Sequence, residues 1–177
     1  MAVTTWRKLA ASMALAAALL LVGCGFHLRR ELVLPEELRA LRIESADPHG
    51  ALTHGLEQAL RRAGASLVSD PAQADAARLL IGRSQVTQRP ISVGATGRVQ
   101  EFALQSRAEI ELLDVHGVAR VPRQTVMLER VYSFDGAAAL GTPGEEEAVR
   151  EELEREMVSA VLRRIEAALR EREAAGE

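Results

Sequence analysis

Cys24 is the one cysteine of the 177-residue chain, and its setting gives it the clearest chemistry. It follows Leu21-Val22-Gly23 at the close of a 14-residue apolar run that starts at Leu9. Trp6-Arg7-Lys8 puts positive charge ahead of that run. The run is too short to span a bilayer as a helix, which takes roughly 20 apolar residues. A charged start, a short apolar middle and small residues before a cut site describe a secretory leader. A lone free thiol in an oxidising compartment is a liability. Cleavage before Cys24 followed by acylation would remove it.

The pattern resembles a bacterial lipobox, which implies lipid on Cys24 as the first mature residue. One acyl chain anchors a protein only marginally at about 0.8 kcal/mol per buried methylene, so the several chains typical of lipoproteins are needed for a stable anchor. Gly25 follows the cysteine where an Asp would resemble an inner-membrane retention signal, which favours the outer membrane. The expected organisation is a leader over 1–23, an acylated tether over 24–36, one domain over 37–170 and a frayed tail over 171–177.

Losing the leader leaves 154 residues with 20 basic and 25 acidic side chains, a net charge of −5. That length suits one domain with its own core. Acidic balance with only 3% aromatics argues against nucleic-acid binding. No other candidate chemistry stands out. His49 and His54 are five apart, which does not place them as a metal-binding pair on one helical face. There is no Gly-x-Ser-x-Gly elbow and no P-loop. The expectation is therefore no metal, no cofactor beyond the covalent lipid and no enzymatic activity.

The elements that would carry a surface function are legible from periodicity. Leu41 and Ile43 mark a first short strand. Asp47-Pro48 reads as a helix cap followed by proline at the first helical position. Leu52, Leu56, Ala59, Leu60 and Ala63 share one face, and Gly64 suits the C-terminal stop. Leu79 to Thr87 reads as a second strand. Arg89 to Val99 holds Pro90, Gly94 and Gly97 and reads as a flexible connection or the tip of a long hairpin.

The cleanest strand has Phe102, Leu104, Ser106, Ala108, Ile110 and Leu112 in phase, with Gln105, Arg107, Glu109 and Glu111 on the other face. Asp114-Val115-His116-Gly117 is a turn signal, so Val121 to Phe134 should return antiparallel, with Pro122 at an edge. Thr142-Pro143-Gly144-Glu145 resembles a capping box. A last helix should run from about Pro143 to about Arg170 on Val149, Leu153, Met157, Val161, Ile165 and Leu169. Glu146 to Arg150, Glu151 to Arg155 and Glu166 to Arg170 are spaced i,i+4 with the acid first. The fold class is α/β in the order β-α-β-β-β-α. A mixed four-stranded sheet would carry both helices on one face.

Five stretches in this order resemble the LptE family of lipopolysaccharide-assembly lipoproteins. They are Gly23-Cys24-Gly25-Phe26-His27-Leu28-Arg29, Asp47-Pro48-His49-Gly50, Gln100-Glu101-Phe102, Arg130-Val131-Tyr132-Ser133-Phe134-Asp135 and Glu145-Glu146. The resemblance implies an outer-membrane lipoprotein with two helices on a four-stranded sheet. It implies a seat inside the LptD β-barrel, help in that barrel's assembly, and lipopolysaccharide as ligand. Members carry basic residues in two loops where Ala95 and Thr142 stand here. Arg89 and Arg98 flank the first of these loops and are the candidates for contact with lipid phosphates, which Arg binds bidentately. An auxiliary lipoprotein of a transporter complex would share the leader and a small α/β domain. A lipid-anchored hydrolase would need a nucleophile and base that no motif supplies.

Overall fold

A computed structural model describes residues 34–70, 75–94, 97–133 and 142–176. Cys24 and the leader lie outside these residues, as do Ala95, Phe134, Asp135 and the side chains of Thr142 and Pro143. The elements are β1 (Ala40–Ser45), α1 (Ala51–Arg62), β2 (Ser66–Leu67), β3 (Ala77–Ile81), β4 (Gln85–Val93), β5 (Val99–Leu113), β6 (Ala119–Ser133) and α2 (Thr142–Ala175). A 3-10 turn at Glu36–Leu38 precedes them. It sets Leu38 into the core, where Leu34 is buried as well.

The expected class holds: two helices and one mixed sheet. Among the described residues the sheet has six strands where four were expected. One addition is β2, a two-residue strand parallel to β1 and too short to leave a sequence pattern. The other comes from the expected strand over 79–87, which divides into β3 and β4. Both pair antiparallel with the same β5. Ile81 lies opposite Ile110 and Gln85 opposite Arg107, so four steps on this side face three on β5. The extra residue is a bulge around Gly82 that reverses which side chains point inward. Leu79 and Ile81 share the inner face before the break; Val86 and Gln88 share it afterwards, opposite Ser106 and Leu104. Arg89 to Val93 belongs to β4, so the hairpin reading of 89–99 is the correct one.

β6 has a similar device. Leu112 faces Val121 and Ile110 faces Gln124, so two steps on β5 meet three on β6. Pro122 sits in that bulge, a place where its missing N–H costs no ladder bond. β5 is the central strand, and its alternation is as expected: Leu104, Ser106, Ala108, Ile110 and Leu112 are buried while Arg107 and Glu109 are exposed.

Helix boundaries follow local chemistry. α1 begins at Ala51, not at Pro48, because Asp47 closes a turn first. Its carbonyl accepts Gly50 N–H at 3.2 Å and Thr53 Oγ1 at 2.7 Å. The stop is a Schellman motif: Ala65 N–H reaches Leu60 O at 3.0 Å and Gly64 N–H reaches Arg61 O at 3.1 Å. Gly64 has φ +87°, a left-handed value that suits glycine. α2 runs through Ala175, past the expected end, and Arg172 Nη1 donates to Ala119 O at 2.8 Å. Its 34 residues span roughly 51 Å at 1.5 Å per residue. Leu56 and Leu60 of α1, Met157, Val161 and Ile165 of α2, and the inner faces of β1, β3 and β5 form one buried cluster. The helices touch closely at Gly55, where a Cβ would lie 2.5 Å from Val158 Cγ2.

Candidate functional site

The expected lipid-contact residues lie on the β4–β5 hairpin, at the end of the sheet that β1 and β3 do not reach. β4 pairs with β5 from Gln85–Arg107 to Val93–Val99. Gly97, at φ +77°, allows the tip to turn, and Gly94 N–H bonds Arg98 O at 2.8 Å.

Arg89 points to the face that the helices leave uncovered. Its Nη2 donates to both oxygens of Glu129 at 3.1 and 3.0 Å. Gln105 Nε2 donates to the same carboxylate at 3.3 Å. Both side chains of this ion pair are solvent-exposed, so it contributes at most about 1 kcal/mol. Arg98 is exposed at the tip. The fold does not bring the two arginines together. Arg89 stands opposite Ala103, five residues along β5 from Arg98, or roughly 16 Å at 3.3 Å per residue.

A polar cluster invisible to sequence reasoning sits beside them on the inner face. Tyr132 of β6 donates its hydroxyl hydrogen to Glu146 Oε2 of α2 at 3.1 Å. Gln88 Nε2 of β4 donates to the Tyr132 hydroxyl and to the same Glu146 oxygen, the latter at 3.2 Å. Arg150 Nη2 holds the other Glu146 oxygen at 2.8 Å. Phe102 stacks on Tyr132 with ring centroids 5.8 Å apart. Burial pushes the Tyr132 pKa above its ordinary value; the Gln88 amide opposes this and Glu146 reinforces it. The expected Glu146–Arg150 pair therefore forms, but its acid also ties the first turns of α2 to β4 and β6. The spacing i,i+4 hinted at half of this. The partners on other strands left no local signal. The other two expected pairs, Glu151–Arg155 and Glu166–Arg170, are present on the outer side of α2.

The uncovered face also carries apolar side chains. Val93 and Val131 are 62% and 53% exposed, and Met127 and Ile91 are exposed as well. Val131 and Met127 flank Glu129 on this face. Among the described residues, no three or more His, Cys, Asp or Glu side chains gather as a metal site. No helix among them is long and apolar enough to cross a membrane.

This arrangement suits binding across a sheet face and a hairpin tip. Comparison with known proteins gives the family. Residues 38–165 match the sequence profile of the family described as "LptE: Lipopolysaccharide-assembly". The LPS-assembly lipoprotein LptE of Yersinia enterocolitica is 31% identical over 84% of this chain and 71% of its own length. The solution NMR structure of lipoprotein B from Nitrosomonas europaea has 27% identity and a TM-score of 0.67, covering 81% of this chain and 91% of that one. The crystal structure of rare lipoprotein B from Shewanella oneidensis shares the fold, with a TM-score of 0.62 at 22% identity over 77% of this chain and 97% of that one. The chain belongs to the LptE family of lipopolysaccharide-assembly lipoproteins, which work by assembly and not by catalysis.

Proposed function

We propose that this chain is anchored by lipid on Cys24 at the inner leaflet of the outer membrane and docks within the LptD β-barrel, where it takes part in delivering lipopolysaccharide to the cell surface. The observation that carries this reading is the family match, which spans the helix-backed sheet from residue 38 to residue 165. The apolar run that ends at Cys24 supports the anchor. Barrel interiors of this kind are polar. The uncovered sheet face, with Arg89, Glu129, Gln105 and Arg107 among a few exposed valines, suits such a wall.

Depletion of this chain from its own host tests the function. Surface lipopolysaccharide and the amount of folded barrel should both fall. Unchanged levels of both would overturn the reading. Cys24→Ser should release the chain from the membrane fraction. Arg89 and Arg98 remain the candidates for phosphate contact. Reversing both charges should weaken binding of lipopolysaccharide to the full chain. Exchanging charges as Arg89→Glu with Glu129→Arg keeps the ion pair, so binding lost there is lost through the ligand and not through the fold.

A further inference from the structure

We infer that the gap between the start of α1 and the β3–β4 break is a binding site for a single neutral sugar ring. The gap has a structural cause. β1 ends at Ser45, while β4 continues the sheet past it from Gln85. The bulge at Gly82 bends the chain there, and α1 starts beside it. A cavity of about 170 Å³ remains, lined on the α2 side by Glu154 and Met157.

Its lining is chemically specific. Ser106 of β5 faces it and is only 2% exposed. None of the described protein groups hydrogen-bonds the Ser106 hydroxyl, which borders the cavity and is left to a partner within it. Its cross-strand neighbours are Val86 and Leu128, which offer no side-chain partner. Glu154 of α2 also borders the cavity, half-buried and with no arginine paired to it among the described residues. Asp47 and Ser84 complete the polar rim. Ser45 and Thr53, whose hydroxyls lie 2.8 Å apart, hold the Asp47 loop in place. Ile81, Val86 and Met157 supply an apolar wall.

Carboxylates that accept and hydroxyls that both accept and donate match a ring bearing several hydroxyl groups. The apolar wall matches the C–H face of such a ring. Two carboxylates disfavour phosphate and other anions. The apolar wall disfavours a hydrated cation. A cavity of roughly 150 Å³ is known to hold one benzene, so about 170 Å³ limits the occupant to a single ring whose outward hydroxyls stay in solvent at the open side. The site stands on the cavity's chemistry and not on the assembly reading. Its sugar comes either from the saccharide of a lipopolysaccharide or from a free monosaccharide.

Amide NMR of the full chain in detergent micelles tests this, with methyl α-D-glucopyranoside as the probe. Saturable shifts at Ser84, Val86 and Ser106 are expected. Ser106→Ala and Glu154→Gln should each raise the apparent Kd at least fivefold, and Ser106→Ala should melt no lower than the parent. Shifts that do not saturate, or that survive both variants, would overturn the site. So would shifts produced by calcium chloride or inorganic phosphate but not by the sugar. A deacylated lipopolysaccharide oligosaccharide that binds more tightly than the monosaccharide assigns the site to that lipid; equal binding assigns it to a free sugar. Both of these outcomes uphold the site. A failed titration leaves the barrel partnership untouched, since co-purification reads that separately.

Discussion

The two faces of β5 divide the labour of this molecule. On one face Leu104, Ala108, Ile110 and Leu112 lie under two helices. On the other Arg107 and Glu109 stand in solvent, with Gln105 and Glu111 partly covered by their neighbours. The same strand therefore contributes hydrophobic burial on one side and an open polar surface on the other. The polar clusters follow this division. Arg89–Glu129 on the uncovered face is exposed and contributes little to stability. Gln88–Tyr132–Glu146–Arg150 on the covered face fastens a helix to the sheet.

The comparison predicts a steep asymmetry between faces. Leu56→Ala, on the helix side, removes a fully buried side chain and should cost about 2–5 kcal/mol in denaturant unfolding. Arg107→Ala, on the uncovered face, should stay within about 0.5 kcal/mol. Equal costs for the two would break the comparison. Gly55→Ala should come next. Its new Cβ would meet Val158 Cγ2 at 2.5 Å, and overpacking of this sort costs about 1–3 kcal/mol. Adding Val158→Ala should recover part of that loss, which locates the strain between the helices.

Tyr132→Phe keeps the stack on Phe102 and deletes the hydroxyl that joins Gln88 to Glu146. A loss of about 1 kcal/mol is expected. Greater protease cutting near the start of α2 should accompany it. The smallest effect concerns the β5–β6 turn. Asp114 Oδ1 accepts Val118 N–H and His116 N–H, both at 2.9 Å, and Arg120 lies 3.3 Å from the other oxygen. The Val118 bond is the largest cause holding the carboxyl below its usual value; partial burial opposes it, while the His116 bond and Arg120 assist. A depressed folded pKa means this stabilisation is present above the unfolded value near 3.8 and is lost as pH falls through the folded one. Asp114→Asn should therefore lower stability most at neutral pH, with the difference from the parent shrinking as pH falls below ~4, so that the variant's curve is flatter there.

Sequence periodicity exposed the parts that one buried face governs. β5 was legible because its phase never slips on the inner side across ten residues. The last helix and the Gly64 stop were legible for the same local reasons. The β3–β4 division was hidden because a bulge reverses the phase, and Gly82 alone does not say where. The early helix start at Pro48 was misplaced because the Asp47 carbonyl serves a turn and Thr53 before the helix begins. Of the candidate site, Arg89 and Arg98 could be named from sequence, but their separation and the Glu129 partner depend on strand register. The Tyr132–Glu146 contact depends on how β6 and α2 pack, which no spacing encodes.

The most direct test of the central claim is affinity purification of the C-terminally tagged chain from detergent-solubilised envelopes, with mass spectrometry of what stays bound. The account predicts a large β-barrel protein at stoichiometric yield. A transporter complex with no barrel would contradict it.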